Sequence, residues 1–312
     1  MVAYLFAGQG SQYVGMGKDL YESFAQSKAI FDRADKSLGF ALSALCFDGP
    51  QEELTKTNNC QPAILTVSIA ALEAYKAVVK PEIRDAASYT AGLSLGEYSA
   101  LVAAGALRFE DALYLVRRRG ELMEEQALKR PGRMLSIIGL DLAVVKEICA
   151  KTGSEIANLN SPGQAVISGS PENMEEARKM AQEKGAKRAI FLEVSGAFHS
   201  SFMQGASEKL AAELEKISIS KPSVAVVSNV TADLVTSPSE IKNNLIKQVV
   251  SSVLWEDSMK FMLLKGIMNF IEFGPGKILK GLMRRIDENA QVINIEKKQD
   301  LVNLGGENVL KG

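Results

Sequence analysis

Ser94 stands between two glycines in Gly92-Leu93-Ser94-Leu95-Gly96, and no other stretch restricts the possible folds as strongly. Ala86-Ala87-Ser88-Tyr89-Thr90 ahead of it reads as a short strand, Ala91 enters the turn, and Glu97 to Ala104 reads as helix. A chain passing from strand to helix through one serine makes a tight, strained turn in which a neighbouring side chain would clash. Glycine on each side removes the clash and leaves the hydroxyl projecting, which is the geometry of a nucleophile elbow. The helix that follows aims its first amides at the same point and favours developing negative charge there. The five-residue pattern also recurs by chance as a plain Gly/Ser loop. The strand before it and the helix after it favour the elbow and predict an α/β fold.

The chain has 312 residues, enough for one large α/β domain or two smaller ones. It is 46% hydrophobic and 23% charged, so a sizeable core can be buried. The net charge of -1 provides no global field to recruit nucleic acid or an anionic membrane. Cys46, Cys60 and Cys149 are far apart and form no C-x-x-C, which suggests neither a disulfide framework nor a zinc site and points to a reducing compartment. Val2-Ala3-Tyr4-Leu5-Phe6 reads as a core strand rather than a signal segment, and no uncharged apolar run reaches membrane-spanning length. The expected location is the cytoplasm, or an organelle stroma or matrix if a transit peptide has been removed.

The first strand runs into Gly8-Gln9-Gly10-Ser11-Gln12. A dinucleotide fingerprint would need a third glycine where Tyr13 stands, and an acidic residue about 20 residues later at the end of a second strand. The remaining readings are a loop whose backbone approaches a reacting centre and an ordinary strand-to-helix turn. Asp19 to Leu38 reads as helix with a break in the middle, and Gln51 to Thr55 as a short helical turn. Gln61 to Val79 reads as a helix led by Pro62, with apolar residues too dense for a surface position.

Phe109 to Gln126 is the next helix, and it carries Arg117, Arg118 and Arg119. The neighbours of Arg119 at three and four residues are Leu115, Val116, Leu122 and Met123, whereas Arg117 and Arg118 each have Glu121. Arg119 therefore faces the core, where a cation needs an anionic partner that its own helix does not supply. Either a distant acid or a bound carboxylate, gripped bidentately, would serve.

From residue 129 to 196 the pattern changes. Met134–Ile138, Ser154–Leu159, Gln164–Ser168 and Lys187–Val194 read as strands, and Leu142–Lys151 and Pro171–Lys184 as helices. That βαββαβ order predicts a ferredoxin-like unit inserted at 129–196 into a larger one made of 1–128 and 197–312. Further on, Ser201–Ile217, Glu240–Val249, Trp255–Leu264 and Ile278–Ile286 read as helices, and Val224–Val227, Met268–Phe273 and Gln291–Ile295 as strands. The tail from Lys297 is polar and reads as loose. His199, in Gly196-Ala197-Phe198-His199-Ser200, is the only histidine. A serine hydroxyl is a poor nucleophile until a base takes its proton, and His199 is the one imidazole that could do so. Spacing does not name the third group that would orient the ring.

Taken in order, these motifs resemble the malonyl-CoA:acyl carrier protein transacylases of type II fatty acid synthesis. The resemblance also rests on Gln61-Pro62-Ala63, Arg119-Gly120, Asn160-Ser161-Pro162-Gly163-Gln164 and Gly274-Pro275-Gly276, and covers nearly the whole chain. It implies an α/β-hydrolase-like large subdomain with a parallel sheet, an inserted ferredoxin-like small subdomain, and an active site between them. It also implies that Ser94 carries the acyl group, that His199 is general base and then acid, and that the main-chain carbonyl of Gln248 orients the ring. Backbone amides of Gln9 and Leu95 would form the oxyanion hole, Arg119 would pair with the malonyl carboxylate, and Gln61 would line the pocket. Phe198 matches the malonyl-selective form of its motif. Two positions depart from the pattern: Leu93 stands where many bacterial members have histidine, and Ser252 where proline is frequent. The implied substrate is malonyl-CoA and the implied partner an acyl carrier protein. A monomer is expected, without metal or redox cofactor, and without nucleic-acid or membrane partners. A serine hydrolase using water as acceptor and a non-catalytic binding module of a synthase complex are the alternatives.

Overall fold

The computed structural model describes residues 1–81 and 87–305. Strands β1 (Val2–Phe6), β2 (Ala87–Gly92), β3 (Arg133–Ile138), β4 (Glu155–Ser161), β5 (Gln164–Gly169), β6 (Arg188–Phe191), β7 (Ala225–Val227), β8 (Leu234–Val235), β9 (Val253–Leu254), β10 (Asn269–Phe273) and β11 (Gln291–Ile295) divide between two sheets. The larger has the order β11-β10-β1-β2-β7-β8 and is parallel except for β8. A parallel sheet needs cover on both faces, and β1 shows how it is met. Tyr4 and Phe6 join a core cluster with Tyr75 and Phe273, whereas Ala3 and Leu5 join another with Trp255, Met259 and Leu279.

The smaller sheet has the order β6-β3-β5-β4-β9. Its first four strands are antiparallel and keep the ferredoxin-like arrangement, with the helices Leu142–Thr152 and Pro171–Glu183 packed on a core of Leu135, Ile137, Ile167, Ile148 and Met174. β9 is a fifth strand, parallel to β4, from outside the 129–196 span. Two residues carry too little alternation to be read as a strand from sequence, and the same holds for β8.

The helix Thr57–Val78 runs through the main core and is buried on every side from Cys60 to Leu72, in keeping with its apolar density. It starts four residues before the expected Gln61, so Pro62 lies inside it rather than leading it. Proline there removes one helical N–H and leaves the Asn58 carbonyl without its usual donor. Arg117 Nη1 supplies the missing donor at 2.9 Å. Asp19–Leu38 is broken as expected, at Phe24, between helices Lys18–Ser23 and Ala25–Leu38. The helix carrying the three arginines extends to Lys129.

The tail differs from expectation. Lys298–Gly305 is helical, because Asp300 accepts from the backbone N–H groups of Glu296 and Lys297, Asp19 caps Lys298, and Leu301 is buried. The stretch beyond 305, and Ala86 at the expected start of the elbow strand, lie outside the described residues.

The elbow joins β2, ending at Gly92, to the helix Gly96–Ala103. Its strained residue is Ser94 itself, at φ 52°. The two glycines are needed for space. A Cβ on Gly92 would lie 1.9 Å from the Gly96 carbonyl carbon, and one on Gly96 would lie 2.2 Å from the Phe6 carbonyl oxygen. These contacts are backbone, which cannot step aside. Gly96→Ala is therefore expected to cost about 3 kcal/mol of stability. Gly281, in the helix Ile278–Ile286 with open space around it, gives the contrast: Gly281→Ala is expected to stabilise by about 0.5–1 kcal/mol. Urea unfolding of the two variants checks this, and an unchanged midpoint for Gly96→Ala would refute the spatial argument.

Candidate active site

The elbow hydroxyl and the single imidazole, 105 residues apart in sequence, meet in the fold. Ser94 Oγ lies 2.8 Å from His199 Nε2. On the far side of the ring, His199 Nδ1 lies 2.7 Å from the main-chain oxygen of Gln248. A carbonyl can only accept, so Nδ1 carries the proton and Nε2 turns its lone pair toward the serine. The carbonyl is available because Gln248 ends the helix Pro238–Gln248, where the last carbonyls have no helical partner. His199 is itself left-handed, at φ 56°. Its turn is tied on both sides: Ser200 Oγ donates to the Ala197 carbonyl at 2.6 Å, and Ser168 of β5 donates to the Phe198 carbonyl at 2.7 Å.

Arg119 reaches the same point. It is 1% exposed, and its Nη2 lies 3.1 Å from Ser94 Oγ. Its anchors are amide oxygens: Nη1 donates to Gln61 Oε1 at 2.9 Å and Nη2 to Gln248 Oε1 at 3.0 Å. The guanidinium also sits over the Tyr98 ring, 5.8 Å from its centre. Among the described residues no carboxylate forms an ion pair with it. Arg117 and Arg118 do pair with Glu121, as the helical spacing predicts. Gln61 was expected to line the pocket. Instead it is fully buried behind Arg119, with its Nε2 3.7 Å from Met123 Sδ. Its helix runs through the core, so it holds the guanidinium from the inside.

Ser94, His199 and Arg119 open onto a cleft of about 530 Å³ between the two sheets. Gly8, Gln9 and Leu93 line it from the large sheet's loops, Met134, Ser136, Asn158, Asn160 and Val166 from the small sheet, and Phe198 from the histidine turn. Leu93 thus presents an apolar wall, and its backbone N–H is held by the Phe6 carbonyl at 3.2 Å. The Gln9 and Leu95 backbone N–H groups have no acceptor among the described residues. Ser252 keeps its segment in place without the ring of a proline, since its hydroxyl donates to the Ile156 carbonyl at 2.5 Å.

Two residues that sequence reasoning did not single out complete the site. Asn229 accepts the Ser94 backbone N–H at 2.6 Å and donates to the Gly92 carbonyl at 2.8 Å, clasping the elbow on both sides of its apex. Glu97, three residues past the serine, is buried, and its Oε2 accepts Gln248 Nε2 at 2.6 Å. A carboxylate in the first turn after the elbow was a visible signal. Asn229 had none, because nothing local sets it apart.

A left-handed serine on an α/β elbow, bonded to an imidazole that a carbonyl orients, places the chain among the α/β serine acyltransferases and hydrolases. Residues 3–293 match the acyl transferase domain family. The chain is 48% identical to the malonyl CoA-acyl carrier protein transacylase of Bacillus subtilis, over 96% of this chain and 95% of that protein. It superposes with a TM-score of 0.93 on the acyl-carrier-protein-S-malonyltransferase of Bartonella henselae, at 36% identity, covering 100% of this chain and 99% of that one. The TM-score is also 0.93 with a malonyl-transacylase solved in complex with its type II PKS acyl-carrier protein, at 38% identity over 98% and 99% of the two chains. The chain belongs to the malonyl CoA-acyl carrier protein transacylase family.

Burial and then the charge of Arg119 push the His199 pKa down from 6.5 to about 4, against the opposing pull of the Gln248 carbonyl. The ring therefore stays neutral in the folded protein through mildly acid solution. The unfolded chain binds its proton first, so stability from this group is complete above pH 6.5 and is lost as pH falls toward 4. Because the chain has one histidine, its imidazole NMR signals need no assignment. They are expected to titrate near pH 4, and Arg119→Met to move that midpoint upward. A wild-type midpoint at 6.5 would show the ring to be solvated and the site differently built.

Proposed function

We propose that this chain moves a malonyl group from malonyl-CoA to the phosphopantetheine thiol of an acyl carrier protein, through an ester on Ser94, to supply fatty acid elongation. One observation carries the choice of substrate: a buried guanidinium with amide anchors and no ion pair among the described residues, 3.1 Å from the acyl-accepting oxygen. A buried cation without a counter-ion is costly. A carboxylate that enters with the acyl group supplies the counter-ion.

Ser94 Oγ attacks the thioester carbonyl carbon as His199 Nε2 takes its proton. The tetrahedral oxyanion lies at the backbone N–H groups of Gln9 and Leu95, and its collapse expels CoA, whose sulfur receives the proton from His199. The carrier thiol then gives its proton to His199 and attacks the ester, and Ser94 leaves with that proton. Every bond and proton is accounted for by these side chains, so the cycle calls for no metal or redox cofactor. The Phe198 ring on the cleft wall leaves little room for an α-methyl branch, which favours malonyl over methylmalonyl. The described residues of one chain complete the site, consistent with a monomer. Among the described residues no helix is long and apolar enough to cross a membrane, and all three cysteines are free. The reading assigns the protein to the cytoplasm or to an organelle stroma or matrix.

Intact mass measured after incubation with malonyl-CoA is expected to show one added malonyl group on the wild type and none on Ser94→Ala. Rapid release of malonate at the same rate with and without carrier protein would instead make the chain a hydrolase. Arg119→Ala is expected to slow malonyl transfer roughly a hundredfold, the equivalent of about 3 kcal/mol for removing a buried charge partner, and acetyl transfer far less. Equal losses on both substrates would remove Arg119 from carboxylate recognition.

A further inference from the structure

We propose that Glu97 is a positioning residue for substrate choice, fixing the side-chain amide of Gln248 and through it the guanidinium of Arg119. The inference rests on the malonyl-transfer reading and adds a residue to it.

The Gln248 side chain faces four groups, the most distant being Asn229 Oδ1 at 3.5 Å from Nε2, and its two amide atoms have opposite roles. Its Oε1 accepts Arg119 Nη2 at 3.0 Å. Its Nε2 donates to Glu97 Oε2 at 2.6 Å and to the Ser94 carbonyl at 3.0 Å. An amide side chain can turn over and exchange its oxygen and nitrogen at almost no steric cost. Turned over, it would set its NH2 against the Arg119 NH2, two donors with no acceptor between them, and its oxygen against a carboxylate and a carbonyl. Glu97 makes that turn unfavourable. Its Oε2 is the acceptor on Nε2 and makes the shortest of the amide's contacts.

Glu97 is itself held in place. Its Oε2 also accepts the Asn229 backbone N–H at 3.3 Å, and it sits on the first turn of the helix that follows the elbow. It is 2% exposed, does not line the cleft, and forms no hydrogen bond or ion pair with Arg119. Gln248 stands between acid and cation. That separation has a consequence for recognition. An acid in direct contact would close the ion pair and leave the guanidinium satisfied without substrate. One amide further away, Glu97 orients the guanidinium and leaves it at the cleft without a closed ion pair. The same Gln248 gives its main-chain carbonyl to His199, but that oxygen is held by the end of its helix and not by Glu97. The effect of Glu97 therefore falls on Arg119 first, and so on the substrate's carboxylate more than on the transfer of the proton.

The test is the ratio of malonyl to acetyl acylation rates of Ser94, read by mass from malonyl-CoA and acetyl-CoA. A ratio is unaffected by partial unfolding, since both substrates see the same folded fraction. Glu97→Met, close in size and without an acceptor, is expected to lower the ratio at least tenfold. Glu97→Gln, which keeps one acceptor oxygen, is expected to stay within threefold of wild type. Glu97→Asp, which keeps the charge but draws the acceptor back by one methylene, is expected to fall with Glu97→Met and serves if that variant does not fold. The double variant Glu97→Met, Gln248→Met should be no less selective than Gln248→Met alone, within twofold. A ratio unchanged in Glu97→Asp or Glu97→Met, an additive double variant, or a Glu97→Gln as impaired as Glu97→Met would each overturn the proposal. A wild-type protein that takes no malonyl group would defeat the malonyl-transfer reading itself. A wild type that is malonylated, with selectivity intact in Glu97→Asp and Glu97→Met, would defeat only this inference.

Discussion

The site depends on a positive charge kept in the interior without a direct counter-ion among the described residues. Glutamine carbonyls accept from Nη1 and Nη2 of Arg119, its Nε has no partner among the described residues, and none of this cancels the charge. Much of the chemistry nearby follows from that. The imidazole beside it resists protonation, first through burial and then through this cation, so the lone pair on Nε2 is held ready for the serine. Glu97 sits one amide away and is pulled in two directions. Burial raises its pKa to about 7, while Gln248, Asn229 and the Arg119 charge oppose the rise. The amide layer thus separates an acid and a base that would otherwise collapse into a closed pair, as Glu121 and its two arginines do on the outer face of the same helix.

The second constraint is backbone strain. Ser94 and His199 are both non-glycine residues in the left-handed region, at φ 52° and 56°. Such residues persist only where their surroundings overdetermine them. Asn229 grips the serine turn through two hydrogen bonds, and Ser200 and Ser168 grip the histidine turn through two more. Packing glycines let the strand and helix of the elbow approach to a distance no side chain allows. The strain aims the two side chains at one point, and the cross-links hold it there.

How much of this was legible in the sequence depended on the range of the signal. The elbow is a local pattern, and its glycines and flanking elements were read directly. Arg119 was legible because a helix writes its buried face into residues three and four apart. The insert was legible because its strands and helices alternate at ordinary lengths. What was hidden had no local mark. Asn229 and Gln248 act from more than a hundred residues away along the chain, and from spacing alone either is one polar residue among many. The family resemblance, and not the pattern of residues, pointed to Gln248. Pro62 misled because proline is expected at a helix start, whereas here an arginine from another helix meets the carbonyl it leaves bare. The tail misled because its polarity concealed Asp300 as a cap and Leu301 as an anchor.

The segment from Gln248 to Trp255 shows why local reading stops where it does. Within eight residues it gives the carbonyl that orients His199, the hydroxyl of Ser252 that bonds β4, the short strand β9 that joins the small sheet, and the first residue of a helix covering the large one. Leu254 N–H donates to the Asn229 carbonyl at 2.8 Å, so the residue clasping the elbow is fixed to the strand that pairs with Asn158 on the cleft wall. Each of these bonds is long-range, and together they make one rigid connection from the serine turn to the small sheet. The Ser252 hydroxyl strengthens that connection through its bond to the Ile156 carbonyl of β4. The cleft is therefore spaced by the same few residues that orient the imidazole, which makes its width and the proton-transfer geometry one property of the fold.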